Sequence, residues 1–175
     1  MDYTVKSASG YDEKIGELVF MLEHVREGTL QATSGLNLEQ LDSMGHGMAN
    51  SAGALLAHIA SIEKVHQLIS FENRDFNDAE LKEWGTAIEL GANAREIICG
   101  YPLAHYTEKL ASVRAVTLRE LKAKNDSWLY GERRWPNGVA YNMYYLWFHV
   151  LEDEISHRGQ IRSMAGRLLE VEERV

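Results

Sequence analysis

Apolar residues recur at three- and four-residue spacing through four long stretches of this chain, and neither of its two prolines, Pro102 and Pro136, interrupts one. The first stretch, DEKIGELVFMLEHVREGTL from Asp12, places Ile15, Leu18, Val19, Leu22 and Val25 on one face. Asp12 and Glu13 suit its start, at the positive end of the helix dipole. A second helix is predicted from Asn50 or Ser51, either of which would cap it, to Phe71. Pro102 opens a third in PLAHYTEKLASVRAVTLRELKAK, and the fourth runs from Val139 to Glu170. The segments TSGLNLEQLDSMGHGMAN and NDSWLYGERRWPNG read as turn-rich connections, and residues 1–10 as a loose arm. Residues 73–101 form a connection of roughly thirty residues, long for a helix–helix link, with a short helix in NDAELKEW capped by Asn77. No strand alternation stands out. The pattern predicts an all-α protein, a four-helix bundle formed by residues 1–175 as one domain.

Composition narrows the class. A hydrophobic fraction of 45% with 25% charged residues is that of a globular chain. No apolar run is long enough for a membrane span, and MDYTVKSASGYDEK lacks the apolar core of a signal peptide. Cys99 is the sole cysteine, so no intrachain disulfide forms, and a reducing, cytoplasmic location is expected. A net charge of −8 argues against nucleic acid as a partner.

The helical faces contain polar residues where apolar ones belong. On the fourth helix Val139, Met143, Leu146, Val150, Ile161, Met164 and Leu168 form one stripe. His157 falls within that stripe and Asp153 at its edge; His149 lies on the rim, and Asn142 and Gln160 flank the same edge. On the second helix Ala54, Leu55, Ile62, Val65 and Ile69 form the stripe, His58 sits at its centre and His66 at its margin. A lone buried histidine is usually satisfied by a carbonyl or hydroxyl, and an Asp–His pair four residues apart by a helix-face hydrogen bond. Three such residues converging in a core each need a buried partner, and a divalent metal supplies one for all. Three ligands leave coordination positions open, as catalysis requires. Two imidazoles and a carboxylate are also the ligand set of non-haem iron oxygenases.

The segments NSAGALLAHIASIEKV and HVLEDEISHRGQIRSM, with PLAHYTEKLASVRAVTLREL between them, resemble the DinB-like superfamily, specifically its DUF664 branch. The resemblance spans roughly residues 12–170 and implies an up-down-down-up four-helix bundle holding a divalent metal, often zinc or nickel. The family's usual ligands are one histidine in the second helix and an H-x-x-x-H pair in the fourth. His58 and His157 match the outer two, while Asp153 replaces the middle histidine, as a carboxylate does in the mycothiol-dependent maleylpyruvate isomerases. The implied activity is thiol S-transfer or isomerisation with a low-molecular-weight thiol such as bacillithiol and a small-molecule substrate, in a homodimer. A hydrolase, or a non-catalytic metal-stabilised stress-response or interaction module, are the alternatives.

Other residues carry plainer expectations. Three successive side chains on one helix span about 12 Å, so His149 is read as core rim or as a group supporting the ligands, with a fourth or replacement ligand as the alternative. Glu152 and Glu154 are read as solvated or inter-helix charges, Arg158 as a partner for acids on a neighbouring helix or across a dimer, and Gly159 as a point of close backbone approach. Tyr141, Tyr144, Tyr145, Trp147 and Phe148 are read as core or interface packing, with the lining of a substrate pocket as the alternative, and Trp128 and Trp135 as capping the same end. Cys99 is expected to be a small buried group.

Overall fold

The computed structural model describes residues 2–44 and 47–172, with side chains as far as Ala165; Leu168, expected in the fourth stripe, lies outside the described side chains. Four long helices dominate: α1 (Glu13–Thr33), α3 (Ala52–Gln67), α6 (Leu103–Lys122) and α8 (Met143–Glu172). Between them lie α2 (Leu38–Asp42), α4 (Asp78–Glu89), α5 (Gly91–Ile97) and α7 (Asp126–Leu129). The all-α bundle expected from the periodicity is the observed architecture.

Side-chain pairings fix the helix directions. Arg26 meets the carbonyl of Leu110 and Arg114 that of Leu22, so α1 and α6 run antiparallel. Glu63 and Gln67 of α3 meet Arg114 and Thr117 of α6, while Gly53 meets Tyr106, so those two are parallel. His58 lies against His157 and His66 against His149, which makes α3 and α8 antiparallel. The order is up-down-down-up. Gly53 is required where it stands: a Cβ there would lie 2.6 Å from the Tyr106 hydroxyl.

Caps act as the sequence suggests, with one exchange. Ser51 caps α3, and Asn77 forms a capping box with Glu80 at α4. The connection TSGLNLEQLDSMGHGMAN holds α2, which Asn37 and Gln40 cap in the same way. Asp12 does not cap α1 itself. Its first amides, from Lys14 and Ile15, donate instead to Asp126 of α7, at 2.9 and 3.0 Å, and Asp12 accepts the Asp126 amide in return. The start of α1 is thereby tied to the chain just beyond the end of α6.

Several expectations need correction. The connection before the last helix contains a small antiparallel hairpin, Glu132–Arg134 with Ala140–Asn142, closed by Trp135 stacked on Tyr141 at 4.0 Å. Strands of three residues are too short to show alternation. Val139 accordingly lies outside α8 and is 57% exposed. Residues 2–7 are exposed, as an arm should be, yet Ser7 and Ala8 pack on Gly16 of α1. Helix α3 is buried almost all round over Ala52–Ser61, whereas Ile62, Val65 and Ile69 are only half-buried. Below Ser61 the buried positions belong to Glu63, His66 and Gln67. Cys99 is exposed, and Gly159 meets no other element within 4 Å.

Two apolar clusters fill the bundle. One gathers Leu55, Leu56, Ile59, Trp84, Tyr106, Leu110, Val113, Ile161 and Met164; the other Ile15, Leu18, Leu22, Val25, Leu121, Trp147 and Val150. On α6 and α8, Arg114 and Glu154 stand between the residues of one cluster and those of the other. With Arg26 and Glu63 they form a buried layer drawn from all four long helices. Glu63, fully buried, accepts from Arg26 at 2.8 Å, from Arg114 at 2.8 and 3.1 Å and from Thr117 at 2.6 Å. Glu154 accepts from Arg26 at 2.8 and 3.1 Å and pairs with Arg114 at 3.5 Å. Two guanidinium groups thus neutralise two carboxylates.

Burial alone would raise the Glu63 carboxyl, but Arg114 and Arg26 beside it bring it down to about 2. A depressed carboxyl stabilises the fold above its ordinary value of 4.5, and that contribution is lost as pH falls toward 2. Its size is on the order of 3 kcal/mol. We expect Glu63→Gln to lower unfolding free energy near neutral pH by about 3–5 kcal/mol, because it strands buried guanidinium charge. In urea titrations the gap from the wild type should close between pH 4.5 and 2. A gap independent of pH would contradict the assignment.

Candidate metal centre

His58 sits in the second turn of α3, whose alanines let neighbouring helices approach closely, and is 8% exposed. Asp153 and His157 lie one turn apart on the facing side of α8. Asp153 Oδ1 lies 3.4 Å from His58 Nε2 and 3.3 Å from His157 Nε2. One ligand atom from each of the three falls within 4.8 Å of the others, and no other such group occurs among the described residues. The three residues singled out in the sequence are therefore brought together.

Neighbouring oxygens fix the rings. His58 Nδ1 donates to the carbonyl of Ala87 at 2.8 Å, so its proton is on Nδ1 and the Nε2 lone pair faces Asp153. His157 Nδ1 lies 3.4 Å from Gln160 Oε1 on the next turn. Ala87 belongs to α4, so the long 73–101 connection packs over the site and orients a ring in it. Trp84 of the same helix is buried there, and its carbonyl accepts from Ser61 at 3.2 Å. Only the Asn77 cap and the helix it starts were visible in the sequence; a carbonyl acceptor leaves no side-chain signal.

Two imidazole lone pairs and a carboxylate cannot face one another without positive charge between them. Burial works against the Asp153 carboxylate, but the His157 and His58 rings beside it outweigh burial and hold the group well below the usual range. The same bond to Asp153 raises His157 above the ordinary imidazole value. Asp153 Oδ2 is buried with no hydrogen-bond partner. A cluster whose carboxylate raises His157 and keeps one buried oxygen without a partner fits a divalent cation, which would replace the proton on that ring. The donor set of two nitrogens and one oxygen suits zinc, nickel or iron.

The surrounding residues separate into distinct roles. His149 stays outside the cluster: its ring is half exposed, 3.3 Å from Glu152, and lies against His66 with ring centroids 5.4 Å apart. Glu154 turns into the buried charged layer, an inter-helix role whose partners only the fold reveals. Arg158 reaches α1 and donates to the Val25 carbonyl at 3.3 Å rather than to an acid. Asn142 accepts from the Tyr145 amide in the first turn of α8. Trp147 is fully buried, whereas Tyr145 and Phe148 are exposed. A cavity of about 540 Å³ lies between α1, α8 and the N-terminal arm, lined by Phe20, Met21, Phe148 and Leu151; none of the three clustered residues lines it.

An up-down-down-up bundle with two histidines and a carboxylate converging from its second and fourth long helices defines a protein of the DinB-like, DUF664 type. The chain belongs to the mycothiol S-transferase family, whose sequence pattern it matches over residues 17–165. Its fold is similar to those of two conserved proteins of known structure. One, from Enterococcus faecalis, is 16% identical with a TM-score of 0.64, over 85% of this chain and 92% of that one. The other, from Streptococcus pneumoniae, is 13% identical with a TM-score of 0.64, over 89% and 90%. No protein of curated function matches the chain. No helix among the described residues is long and apolar enough to cross a membrane.

The carbonyl of Ala87 fixes which nitrogen of His58 is protonated. In long-range nitrogen-15 spectra of the metal-free protein, neutral His58 should show the Nδ1–H tautomer. An Nε2–H pattern would remove the ring from the ligand set.

Proposed function

We propose that the protein is a divalent-metal-dependent thiol S-transferase, with His58, Asp153 and His157 as the metal ligands and a low-molecular-weight thiol as co-substrate. The observation that carries this reading is the His58–Asp153–His157 cluster, with ligand atoms within 4.8 Å and a free carboxylate oxygen, in a chain of the mycothiol S-transferase family. A divalent cation bound there supplies Lewis acidity, which lowers the pKa of a bound thiol toward neutrality.

The chain's own residues do the rest. His58 Nε2 and His157 Nε2 present nitrogen donors, and Asp153 adds an anionic oxygen that offsets part of the ion's charge. Ala87 and Gln160 hold the rings in place, as the outer partners of ligating histidines do elsewhere. Glu154, locked between Arg26 and Arg114, fixes the backbone of α8 beside Asp153. A ligand set held in this way loses little entropy when the ion or the thiol binds. The electrophilic co-substrate is a small molecule. The exposed Tyr145, Phe148 and Ile155 on α8 support a homodimer, and the net charge of −8 speaks against nucleic acid as partner. The lone, exposed Cys99 fits a reducing, cytoplasmic setting.

Elemental analysis of untagged protein should find one zinc, nickel or iron ion per chain. His58→Ala, Asp153→Ala and His157→Ala should each lose the ion and, with it, conjugation of a low-molecular-weight thiol to a bimane electrophile. Asp153→His should retain the ion, because the resemblance implies histidine at that position in relatives. Metal-free wild type that cannot be reloaded, or three alanine variants that keep their metal, would overturn the proposal.

A further inference from the structure

The helix pair that carries the cluster carries a second pair of imidazoles. His66 lies eight residues beyond His58 on α3, and His149 eight residues before His157 on α8. Because these helices are antiparallel, both steps run the same way along the bundle, about 12 Å each. The two ring pairs, His58 with His157 at 4.8 Å and His66 with His149 at 5.4 Å, therefore lie on either side of Asp153.

The second pair is built asymmetrically. His66 is 7% exposed and its Nδ1 donates to the Ile62 carbonyl at 2.7 Å, leaving the Nε2 lone pair as its basic site. His149 is half exposed, stacked on Tyr145 at 6.5 Å, with Glu152 at 3.3 Å. One ring is thus held inside, about one helical turn along the bundle from the level of Asp153 and within reach of its charge, and the other opens to solvent.

We infer that His66 is the proton acceptor for the thiol that binds at the metal centre, and that His149 passes the proton on to solvent. This rests on the function proposed above. In the step the S–H bond breaks, its electron pair stays on sulfur, and the proton forms an N–H bond at His66 Nε2. It then leaves through His149 to water, so His66 returns to its neutral form. Ile62 keeps the ring in the tautomer that accepts at Nε2 and stabilises the imidazolium once formed. Burial, the main influence, holds His66 below the ordinary imidazole value, and His149 adds to this; Asp153 and Glu63 act in the opposite direction. The ring is therefore neutral and ready near pH 7.

The test uses cobalt(II)-loaded protein and 2-mercaptoethanol, following the sulfur-to-cobalt absorption band by stopped flow. His66→Ala should bind cobalt with wild-type stoichiometry but form the band about a hundredfold more slowly. Its rate should rise about tenfold per pH unit below the thiol's own pKa, while the wild type is flatter. Free imidazole should restore the rate. His66→Asn, which preserves a polar side chain for the Ile62 carbonyl, should be equally slow, and His149→Ala should make the rate depend on buffer concentration. Wild-type rates in both His66 variants, or slow rates that imidazole leaves unchanged, would overturn the role of His66 alone. Wild type that binds no cobalt would instead sink the metal-centre reading, and this inference with it.

Discussion

Four charged side chains meet at the waist of the bundle, and the rest of the structure is arranged around them. Arg26, Glu63, Arg114 and Glu154 come from four different helices and are almost fully buried. Separately, each would carry a desolvation cost of several kcal/mol. Together they neutralise one another, and the carbonyls of Leu22 and Leu110 accept remaining guanidinium protons. Such a layer is satisfied in one register of the four helices. A one-turn slip of any helix would leave an unpaired buried charge, which apolar packing above and below would not by itself forbid.

The register set at the waist also positions the chemistry. Asp153 precedes Glu154, so the contact that draws Glu154 toward α1 and α6 turns Asp153 by about 100° toward α3. On α3 the same holds for Glu63, which lies five residues after His58 and three before His66. The charged layer and the metal centre are thus two faces of the same pair of helices. One is closed and self-neutralising. The other keeps an excess of negative charge and free ring nitrogens, which is the state that accepts a cation.

The segment between α3 and α6 completes the site. Its helix α4 begins at a capping box that fixes its direction, and its far end places the Ala87 carbonyl on His58. A connection too long for a simple link therefore acts as an outer wall that orients a ligand ring.

Periodicity and caps alone determined the four long helices, the starts of α3 and α4, and the His58, Asp153 and His157 positions on facing sides. Each follows from local rules: a repeat of 3.6 residues, and a side chain that satisfies amides three residues away. What tertiary structure decided is whatever depends on partners distant in sequence. Glu63 and Arg114 look like ordinary surface charges until Arg26 and Glu154 are brought beside them. Val139 fits the stripe of α8 but is drawn into a hairpin whose strands are too short to be read. Gly159 stands within α8 without a close approach from any other element among the described residues, and Cys99 lies on the surface. Hydrophobic spacing reports which side of a helix is turned inward; it does not report which residue waits on the other side, and charge pairing, ring orientation and a carbonyl ligand to an imidazole are all properties of that second residue.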